Sequence, residues 1–537
     1  MRRRPLLLAA GLAAVAALLA GCISSPGQGG DGGGATTDPA TTLHILAGSE
    51  VKDMIPILDS AASAIGVHVV MDYEGTLAGT ELVASGGATG KYDATWFPNN
   101  RYLSLLSGAS SAISESVKIM TSPVVLGLKQ SVATRLGWDG TEPTWGDIAK
   151  AAGDGEFTYG MTNPAASNSG FSALVAVATA LSGTGSALTS DEIDSVTPDM
   201  AKFFSAQKLT AGSSGFLAQK FTADPTLVDG IINYESVLKG IEVDGKPLTI
   251  ITPTDGVVTS DYPLTLLTSA AASKKKLFDK LTAWLTTPAV QKRIASDVHR
   301  RPGIPGIDTG SEFPSTVLFE TPFPNTLQVA NTLISTYLQT ARAPSQAIFL
   351  LDTSGSMQGD RLDKLKTALK NLAGADTSTI GSFASFQPRE RVTLLPFNTK
   401  PGSPEVFDLP EGDTVQQLDE IQQAADDLQA GGDTAIYSTL KAGYKLALKQ
   451  QTQRPDTFVS VVLMTDGENT TGITSSEFRS YYAGLGASAK TIPTFVVLFG
   501  NGNVAQLTDI AKLTGGQVFD ALNGDLAQAF QEIRGYQ

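Results

Sequence analysis

The sequence predicts an α/β protein with more than one domain. Its 537 residues are too many for a single hydrophobic core. A hydrophobic content of 42% is ordinary for a globular chain and argues against a disordered or membrane-embedded one. Short apolar runs typical of buried strands alternate with helical patterns in the first half of the chain and again after residue 344. We therefore expect two or three domains of α/β architecture.

The net charge and the positions of the histidines argue against several classes of function. A formal net charge of −14 argues against a nucleic-acid partner and is explained by solvated surface. The three histidines, His44, His68 and His299, lie on unrelated elements, so neither a zinc site nor a histidine-based triad is indicated. No phosphate loop with Gly-Lys-Ser/Thr and no nucleophile–base set occurs. We predict a protein that is not an enzyme and has no catalytic residues.

Residues 1–21 have the pattern of a secretory signal peptide. Three arginines precede an apolar run to Ala20 that is too short for a membrane span. The only cysteine closes Leu19-Ala20-Gly21-Cys22, which resembles the bacterial lipobox. That resemblance implies a lipid on Cys22 and anchoring to the extracytoplasmic face of the cell membrane. Residues 22–42, rich in Gly, Ser, Thr and Pro, are predicted to form a flexible tether.

From Leu43 onward, strand and helix patterns alternate. The predicted elements are strand Leu43–Leu46, helix Ile55–Ile65, strand Val67–Met71, helix Thr80–Ser85 and strand Asp93–Phe97. The strands end on loops that contain Gly48-Ser49-Glu50, Gly75-Thr76 and Trp96-Phe97-Pro98-Asn99-Asn100. Loops at that edge of an α/β sheet commonly bind ligands. Each loop taken alone is also compatible with a turn or a helix cap.

A second lobe is predicted after residue 121. Ser122–Leu128 indicates an extended crossover, and Pro123–Leu128 would form part of a hinge between the lobes. Met161–Gly170, rich in hydroxyl and amide side chains, precedes a core helix predicted over Phe171–Leu181. The free N–H groups and the positive dipole end of such a helix suit an anion or another acceptor-rich ligand.

Together with Ile232–Ser236, Asp261–Leu264 and Arg300-Arg301-Pro302, these segments resemble the two-lobed extracellular solute-binding proteins, which include molybdate, sulfate and phosphate binders. The resemblance covers residues 43–305 and implies that a small solute or anion binds between the lobes. It departs from the phosphate-binding pattern because Phe171 stands where a hydroxyl residue is expected.

The resemblance also implies which side chains contact the solute. They are Ser49, Thr76, Trp96, Ser167, Asn168, Ser169 and Tyr234. Trp96 and Tyr234 are equally compatible with packing in the core.

A joint over Gly306–Pro324 and a helical pattern over Asn325–Arg342 form a linker, residues 306–343, to a terminal domain over residues 344–537. Its predicted elements are strand Gln346–Leu351, helix Arg361–Leu372, strand Arg391–Phe397, helices Val415–Leu428 and Ala435–Leu448, and strands Phe458–Met464 and Thr494–Phe499. The alternation predicts a doubly wound, mostly parallel sheet.

Oxygen-bearing residues stand at the ends of three of these elements. Asp352-Thr353-Ser354-Gly355-Ser356 follows a buried strand, Thr434 precedes a helix, and Asp466 follows another strand. Carboxylates and hydroxyls at the carboxyl edge of such a sheet suit a hard cation. The alternative is a metal-free fold in which the same residues serve as turn and helix caps.

Asp352, Ser354, Ser356, Thr434 and Asp466 resemble the complete metal-ion-dependent adhesion site of von Willebrand factor A-type (VWA) domains, which have a Rossmann-like fold. The resemblance implies that the three hydroxyls touch the metal and that the two carboxylates hold it mostly through water. Mg²⁺ is the metal expected, with Mn²⁺ and Ca²⁺ as alternatives. An acidic residue of a protein partner would take the open coordination position.

These patterns predict a lipid-anchored extracytoplasmic binding protein that couples a solute-binding-like domain to a metal-dependent protein-recognition domain. The expected partners are an acidic group on a protein, a small solute or anion, and the membrane through the lipid anchor. The alternative is a solute receptor of an ABC-type uptake system in which the VWA domain only docks or scaffolds.

Overall fold

Short buried strands alternate with helices throughout the computed structural model, which describes residues 38–314, 318–500, 504–521 and 526–536. The predicted signal peptide, Cys22 and all but the end of the predicted tether lie outside the described residues. The predicted fold class is confirmed, because two α/β lobes are followed by a doubly wound α/β domain. Within the described ranges, no helix is both long and apolar enough to cross a membrane.

The two N-terminal lobes contain fourteen strands and twelve α-helices in the described residues. The strands are β1 (Thr42–Ala47), β2 (His68–Tyr73), β3 (Ala94–Trp96), β4 (Ile113–Lys118), β5 (Met120–Leu128), β6 (Tyr159–Thr162), β7 (Gln207–Ala211), β8 (Gly230–Tyr234), β9 (Glu242–Val243), β10 (Lys246–Pro247), β11 (Thr249–Ile251), β12 (Thr259–Ser260), β13 (Pro263–Leu267) and β14 (Arg301–Pro302). The helices are α1 (Ile55–Ile65), α2 (Thr76–Ala84), α3 (Arg101–Leu105), α4 (Ala109–Ala112), α5 (Gln130–Leu136), α6 (Trp145–Gly153), α7 (Asn168–Ser182), α8 (Ser190–Ser205), α9 (Ser214–Ala223), α10 (Glu235–Lys239), α11 (Ala272–Leu285) and α12 (Pro288–Val298).

Each lobe is built on its own mixed sheet. Lobe 1 has the strand order β2-β1-β3-β13-β4, in which β1 pairs in parallel with β2 and β3, and β13 is antiparallel to both neighbours. Lobe 2 has the order β11-β5-β8-β6-β7. Every residue of β5 and β8 is buried, because helices cover both faces of this sheet.

The chain crosses between the lobes three times, at Ile119, Tyr262 and Arg300, all fully buried. Tyr262 has φ of 39°, and its carbonyl accepts from the Ile119 N–H at 3.4 Å. The predicted hinge over Pro123–Leu128 is wrong, because β5 is a central strand of lobe 2 and the chain has crossed before it begins. A continuous apolar run gives no sign of where one sheet ends and the next begins.

The rest of the chain forms a connecting helix and the C-terminal domain. Its elements are α13 (Leu327–Thr336), β15 (Ser345–Asp352), α14 (Asp360–Lys370), α15 (Thr379–Ala384), β16 (Arg391–Phe397), β17 (Glu405–Asp408), α16 (Val415–Asp426), α17 (Ile436–Gln453), β18 (Phe458–Thr465), α18 (Ser475–Ala483), α19 (Ala487–Lys490), β19 (Thr494–Leu498), α20 (Val504–Leu513), β20 (Val518–Asp520) and α21 (Leu526–Gly535). The connecting helix α13 continues as a π-helical turn, Tyr337–Ala341, and packs on α8 of lobe 2.

The C-terminal sheet has the order β17-β16-β15-β18-β19-β20, and only the edge strand β17 is antiparallel to its neighbour. Side chains alternate across it: Phe349 and Leu351 pack in the apolar cluster that includes α14, while Ile348 and Leu350 pack against α17. From β15 the chain winds first to β16 on one side and later to β18 on the other. This switch point is where doubly wound sheets bind ligands.

The predicted helices and strands have the right type, while some ends differ. Helix α1 and strand β16 begin and end where predicted. Helix α7 begins at Asn168 instead of Phe171, and α2 begins at Thr76 instead of Thr80. Neither of these two helices has a side-chain hydrogen bond at its N-cap, which is Ser167 in α7 and Gly75 in α2. The N-cap residue of α7 is of a type that favours a helix start, but its side chain does not cap the helix.

Candidate functional site

The residues predicted to bind metal lie at the carboxyl edge of the C-terminal sheet. Parallel pairing of β15 with β18 aligns Leu351 with Met464, so Asp352 and Asp466 leave the sheet at the same edge. Ser354 and Ser356 lie on the loop that follows β15. We call this group of loops the metal edge.

Hydrogen bonds join four of the five predicted metal ligands into one network. The hydroxyls of Ser354 and Ser356 are 3.0 Å apart, and the Ser356 hydroxyl donates to Asp466 Oδ1 at 2.9 Å. Asp352 accepts from the Ser354 N–H at 2.9 Å and from the Thr465 hydroxyl at 2.5 Å. Two carboxylates and two hydroxyls are therefore held together on adjoining loops.

Thr434, the fifth predicted ligand, is buried on the loop that precedes α17. Two backbone hydrogen bonds hold this loop against the loop after β15. The Gly355 N–H donates to the Gly432 carbonyl at 2.9 Å, and the Gly431 N–H donates to the Thr353 carbonyl at 2.8 Å. Gly432 has φ of 84°, a conformation that favours glycine. The glycine pair thus brings Thr434 to the metal edge.

Arg361, which the sequence pattern did not single out, adds a positive charge to this edge. Its guanidinium donates to Asp466 Oδ2 and, at 3.2 Å, to the Ser356 carbonyl. The Asp466 side chain is fully buried in this contact. Burial raises the pKa of Asp352 despite the hydrogen bonds that its carboxylate accepts. The signal available in the sequence was the position of Arg361 in the first turn of the next helix.

The donor set at the metal edge consists of oxygens only. Carboxylates and hydroxyls are ligand types that Mg²⁺, Mn²⁺ and Ca²⁺ accept, so the residues present fit a hard divalent cation. In the ranges that the structure describes, no group of three or more His, Cys, Asp or Glu could hold a metal ion. A cation here would therefore depend on the hydroxyls of Ser354, Ser356 and Thr434 as well as on the two carboxylates.

A cavity of about 530 Å³ lies between the two N-terminal lobes. Three of the seven predicted solute contacts, Ser49, Thr76 and Ser167, line it. Ser49 begins a 3-10 helix after β1, Thr76 begins α2, and Ser167 immediately precedes α7. Starts of helical segments from both lobes therefore face the cavity.

The other four predicted contacts lie behind the cavity wall. The side-chain nitrogen of Asn168 is 3.1 Å from the Tyr234 hydroxyl, and its Oδ1 accepts from Asn99 Nδ2 at 3.0 Å. The Ser169 hydroxyl is 2.7 Å from that of Ser214. Because Asn99 belongs to lobe 1 and Asn168 to lobe 2, their hydrogen bond joins the lobes.

Trp96 and Tyr234 are both fully buried around the crossing at Tyr262. The Trp96 indole N–H donates to the Tyr262 carbonyl at 3.1 Å. The rings of Tyr234 and Tyr262 are 5.9 Å apart in an edge-to-face arrangement. These positions fit the core-packing alternative for both side chains.

Three carboxylates that were not among the predicted solute contacts, Glu50, Asp53 and Glu74, line the lobe 1 wall. Asp53 is paired, because Nη1 of the fully buried Arg300 lies 2.6 Å from both of its oxygens. Glu50 Oε1 is buried and has no hydrogen-bond partner in the described residues. Burial raises the pKa of Glu50 to about 7, against the opposing effects of a backbone hydrogen bond and of Arg300. The position of Glu50 shortly after strand β1 was the feature of the sequence that could have identified it as a cavity residue.

The C-terminal domain also lines this cavity, through α15 and the end of α21. Its lining residues include Ile380, Phe383, Ala384, Gln517, Arg534, Gly535 and Tyr536. The Asn163 side chain of lobe 2 donates to the Arg534 carbonyl at 3.2 Å, and the Tyr536 ring meets the Phe216 ring edge-on at 4.9 Å. The cavity is therefore lined by both lobes and by the C-terminal domain.

Comparison with known proteins assigns a family type to each of the two parts. Residues 43–297 match the family model of bacterial extracellular solute-binding proteins, and residues 348–533 match that of the von Willebrand factor type A domain. No curated protein sequence matches the chain.

Solved structures resemble the two parts separately. The periplasmic binding protein AfuA from Actinobacillus pleuropneumoniae is 11% identical with a TM-score of 0.44, covering 56% of this chain and 98% of that one. The ferric binding protein from Campylobacter jejuni is 14% identical with a TM-score of 0.41, covering 55% and 98%. A von Willebrand factor type A structure from Catenulispora acidiphila is 17% identical with a TM-score of 0.29, covering 37% and 43%. By the family matches, this chain joins a solute-binding domain over residues 43–297 to a VWA domain over residues 348–533.

Proposed function

We propose that this chain is a lipid-anchored extracytoplasmic binding protein, not an enzyme, that combines a solute cleft with a metal-dependent protein-recognition site. The observation that carries the proposal is the metal edge. There Asp352, Ser354, Ser356 and Asp466 share one hydrogen-bonded network, and the loop of Thr434 is clamped beside it. The same domain encloses the solute cavity. Both binding functions therefore belong to one assembly.

At the metal edge, Asp352, Ser354, Ser356, Thr434 and Asp466 are the residues that would hold a divalent cation, and we propose Mg²⁺. When bound, the cation would supply a Lewis-acidic position for a carboxylate of a protein partner. The chain itself contributes orientation. The Thr465 hydroxyl on β18 fixes Asp352 at the end of β15, and Ser356 bridges to Asp466.

The N-terminal pattern and the family match of the first domain support the proposed location of the chain. The family model matched by residues 43–297 describes extracellular proteins, which supports an extracytoplasmic location. The lipobox-like segment supports attachment through a lipid on Cys22, the only cysteine in the sequence. A small solute held near a membrane and a protein partner bound by its acidic residue are the two proposed ligands.

Calorimetric titration of MgCl₂ and of MnCl₂ into the chain lacking only its first 22 residues tests the metal site. We expect saturable binding by the wild-type chain and loss of binding in Ser354→Ala, because the hydroxyl is a direct ligand in the proposal. Ser476→Ala, at an exposed position on α18, is the matched control and should bind like wild type. Equal binding by Ser354→Ala and wild type would refute the proposed site.

A further inference from the structure

The C-terminal domain contacts lobe 2 beside the cavity through backbone as well as side chains. The Asn163 amide donates to the Arg534 carbonyl at 3.2 Å. At Gly535, a Cβ atom would lie 2.8 Å from the Gly212 Cα and 3.1 Å from the Ala166 Cβ. No side chain larger than hydrogen fits this contact without displacing one of the two domains.

The same domain contacts lobe 1 through α15. Burial raises the pKa of Glu81 on α2, and the nearby hydroxyl of Thr379, the first residue of α15, opposes this rise. Ile380 and Phe383 belong to the apolar cluster that contains Leu77 of α2. The C-terminal domain therefore bridges the two lobes across the cavity.

Both contact elements are tied to one buried ion pair. Arg534 Nη2 lies 2.9 and 2.8 Å from the two oxygens of Glu390. The same guanidinium donates to the carbonyls of Ala384 and Ser385 at 3.0 Å, which links the end of α15 to α21. Helices α15 and α21 are thus joined, and together they contact both lobes. The lobes can therefore separate only if these helices lose contact with one of them.

Charge on the cavity wall favours a cationic ligand. Four acidic side chains, Glu50, Asp53, Glu74 and Glu532, and two basic ones, Lys52 and Arg534, line the cavity, and Arg534 is neutralised by Glu390. Desolvation raises the pKa of Glu50 and of Glu532 to about 7, and a cation bound beside them would favour their charged forms. Arg300 neutralises Asp53, whereas the buried Glu50 Oε1 has no partner in the described residues. A buried carboxylate oxygen is costly until a donor reaches it, and rotation of the Glu50 side chain toward the cavity that it lines would bring this oxygen to a solute N–H⁺ group.

Aromatic side chains also line the cavity. Phe216 of lobe 2 and Phe383 and Tyr536 of the C-terminal domain line the cavity. Such rings pack against methylene groups and attract cations through their faces. The volume of about 530 Å³ lies within the range of small-molecule sites.

We propose that the cavity is a three-walled site for a small organic cation, an ammonium or guanidinium compound with an aliphatic chain, and that the C-terminal domain is its third wall. This inference rests on the proposed solute-binding function and adds the class of the solute and the element that encloses it.

Calorimetric titration into the chain lacking its first 22 residues tests the ligand class. Putrescine, spermidine and L-arginine are the cationic probes, and sodium phosphate and citrate are the anionic ones. We expect saturable binding of at least one cation. Glu50→Gln keeps the shape of the side chain but removes its charge, so it should weaken that binding about tenfold or more. Glu156→Gln, at an exposed position on lobe 2, should leave it unchanged.

Substitution at the domain contact tests the third wall. Gly535→Leu should push the C-terminal domain off lobe 2 and weaken cation binding by about tenfold, mainly through faster dissociation. Gly486→Leu is the control, because a Cβ at that position of the same domain meets open space. Thr379→Val removes only the hydroxyl that lies near Glu81 and should weaken binding by a few-fold. Circular dichroism spectra identical to wild type establish that each variant is folded.

Different results would contradict the ligand class and the third wall. Binding of phosphate or citrate without binding of any cation would overturn the ligand class and leave the proposed solute-binding function standing. Cation binding unchanged in both folded Gly535→Leu and Thr379→Val would overturn the third wall alone. If no probe bound and native mass spectrometry showed no co-purified small molecule, the inference and the proposed solute-binding function would fall together.

Discussion

Replacing Glu390 by Gln should destabilise the C-terminal domain by about 3 to 5 kcal/mol, the cost of breaking a buried ion pair from one side. The Glu390 side chain is 1% exposed, and those of Arg342 and Arg534 are 6% and 5% exposed. Both arginines donate to its carboxylate. Glutamine preserves the volume but removes the negative charge that these two buried guanidinium groups share. Because Arg342 ends the connecting helix segment, the damage should extend to the linker.

The same carboxylate should contribute an acid-dependent part of the stability. Burial alone would raise the pKa of Glu390, but the charges of Arg534 and Arg342 and the hydrogen bond from the Gln387 N–H outweigh burial and lower it. A carboxylate with a lower pKa in the folded state stabilises that state fully above its ordinary pKa of 4.5, and the contribution is lost as pH falls through the folded value. Glu390→Gln should lack this part of the pH dependence.

Urea unfolding followed by circular dichroism at pH 7 and at pH 4 measures both effects. Tryptophan fluorescence adds an internal reference, because the four tryptophans of the chain all lie in the N-terminal lobes: Trp96, Trp138, Trp145 and Trp284. Asp509→Asn is the control, since it breaks an exposed 3.2 Å pair with Arg479 and should cost less than about 1 kcal/mol. If Glu390→Gln cost no more than this control, the assigned role of the buried pair would be refuted.

Three further predictions concern the metal edge, the lobes and the anchor. Thr465→Val removes the hydroxyl that holds Asp352, so Mg²⁺ affinity measured by calorimetry should fall about 10- to 100-fold, and an unchanged affinity would contradict the orienting role. Asn99→Ala removes the hydrogen bond to Asn168, so the fluorescence-monitored unfolding free energy should fall by about 1 to 3 kcal/mol, whereas no change would show that this bond does not stabilise the lobes. Cys22→Ala should move the chain from the membrane fraction to the soluble fraction of cells that express it with its signal peptide, and retention in the membrane fraction would rule out anchoring through this residue.

The metal edge could be predicted from the sequence because the pattern that indicates it is local. A buried strand followed at once by oxygen-bearing residues places them at the carboxyl edge of a parallel sheet, whatever the rest of the fold. Asp352 and Asp466 obey this rule on β15 and β18, which pair directly in the structure. Arg361 reaches the same edge from the following helix, a position that strand patterns do not describe.

The enclosure of the solute cavity was not accessible in the same way. Asn163 and Arg534 are 371 positions apart in the chain, and their contact uses a backbone carbonyl, which every residue type carries. Gly535 is important because Gly212 and Ala166 of lobe 2 pack against it, and the residues beside Gly535 in the sequence do not indicate this contact. The pKa of Glu50 likewise depends on its burial in the folded protein and on the charge of Arg300, which is distant in the sequence. Such properties arise only when domains meet.

The two proposed sites lie at opposite edges of the C-terminal sheet. Asp352 ends β15 and Asp466 follows β18, whereas the cavity-lining Ala384 and Gln517 precede β16 and β20 and so lie near the amino edge. The eight residues of β15 span roughly 25 Å at about 3.3 Å per residue. A protein partner at the metal edge therefore leaves the cavity unobstructed, and coupling between the sites has to pass through a shift of the whole domain against the lobes. Partner affinity that is equal with and without bound solute would show that the domain does not shift, and that the fusion carries two independent sites.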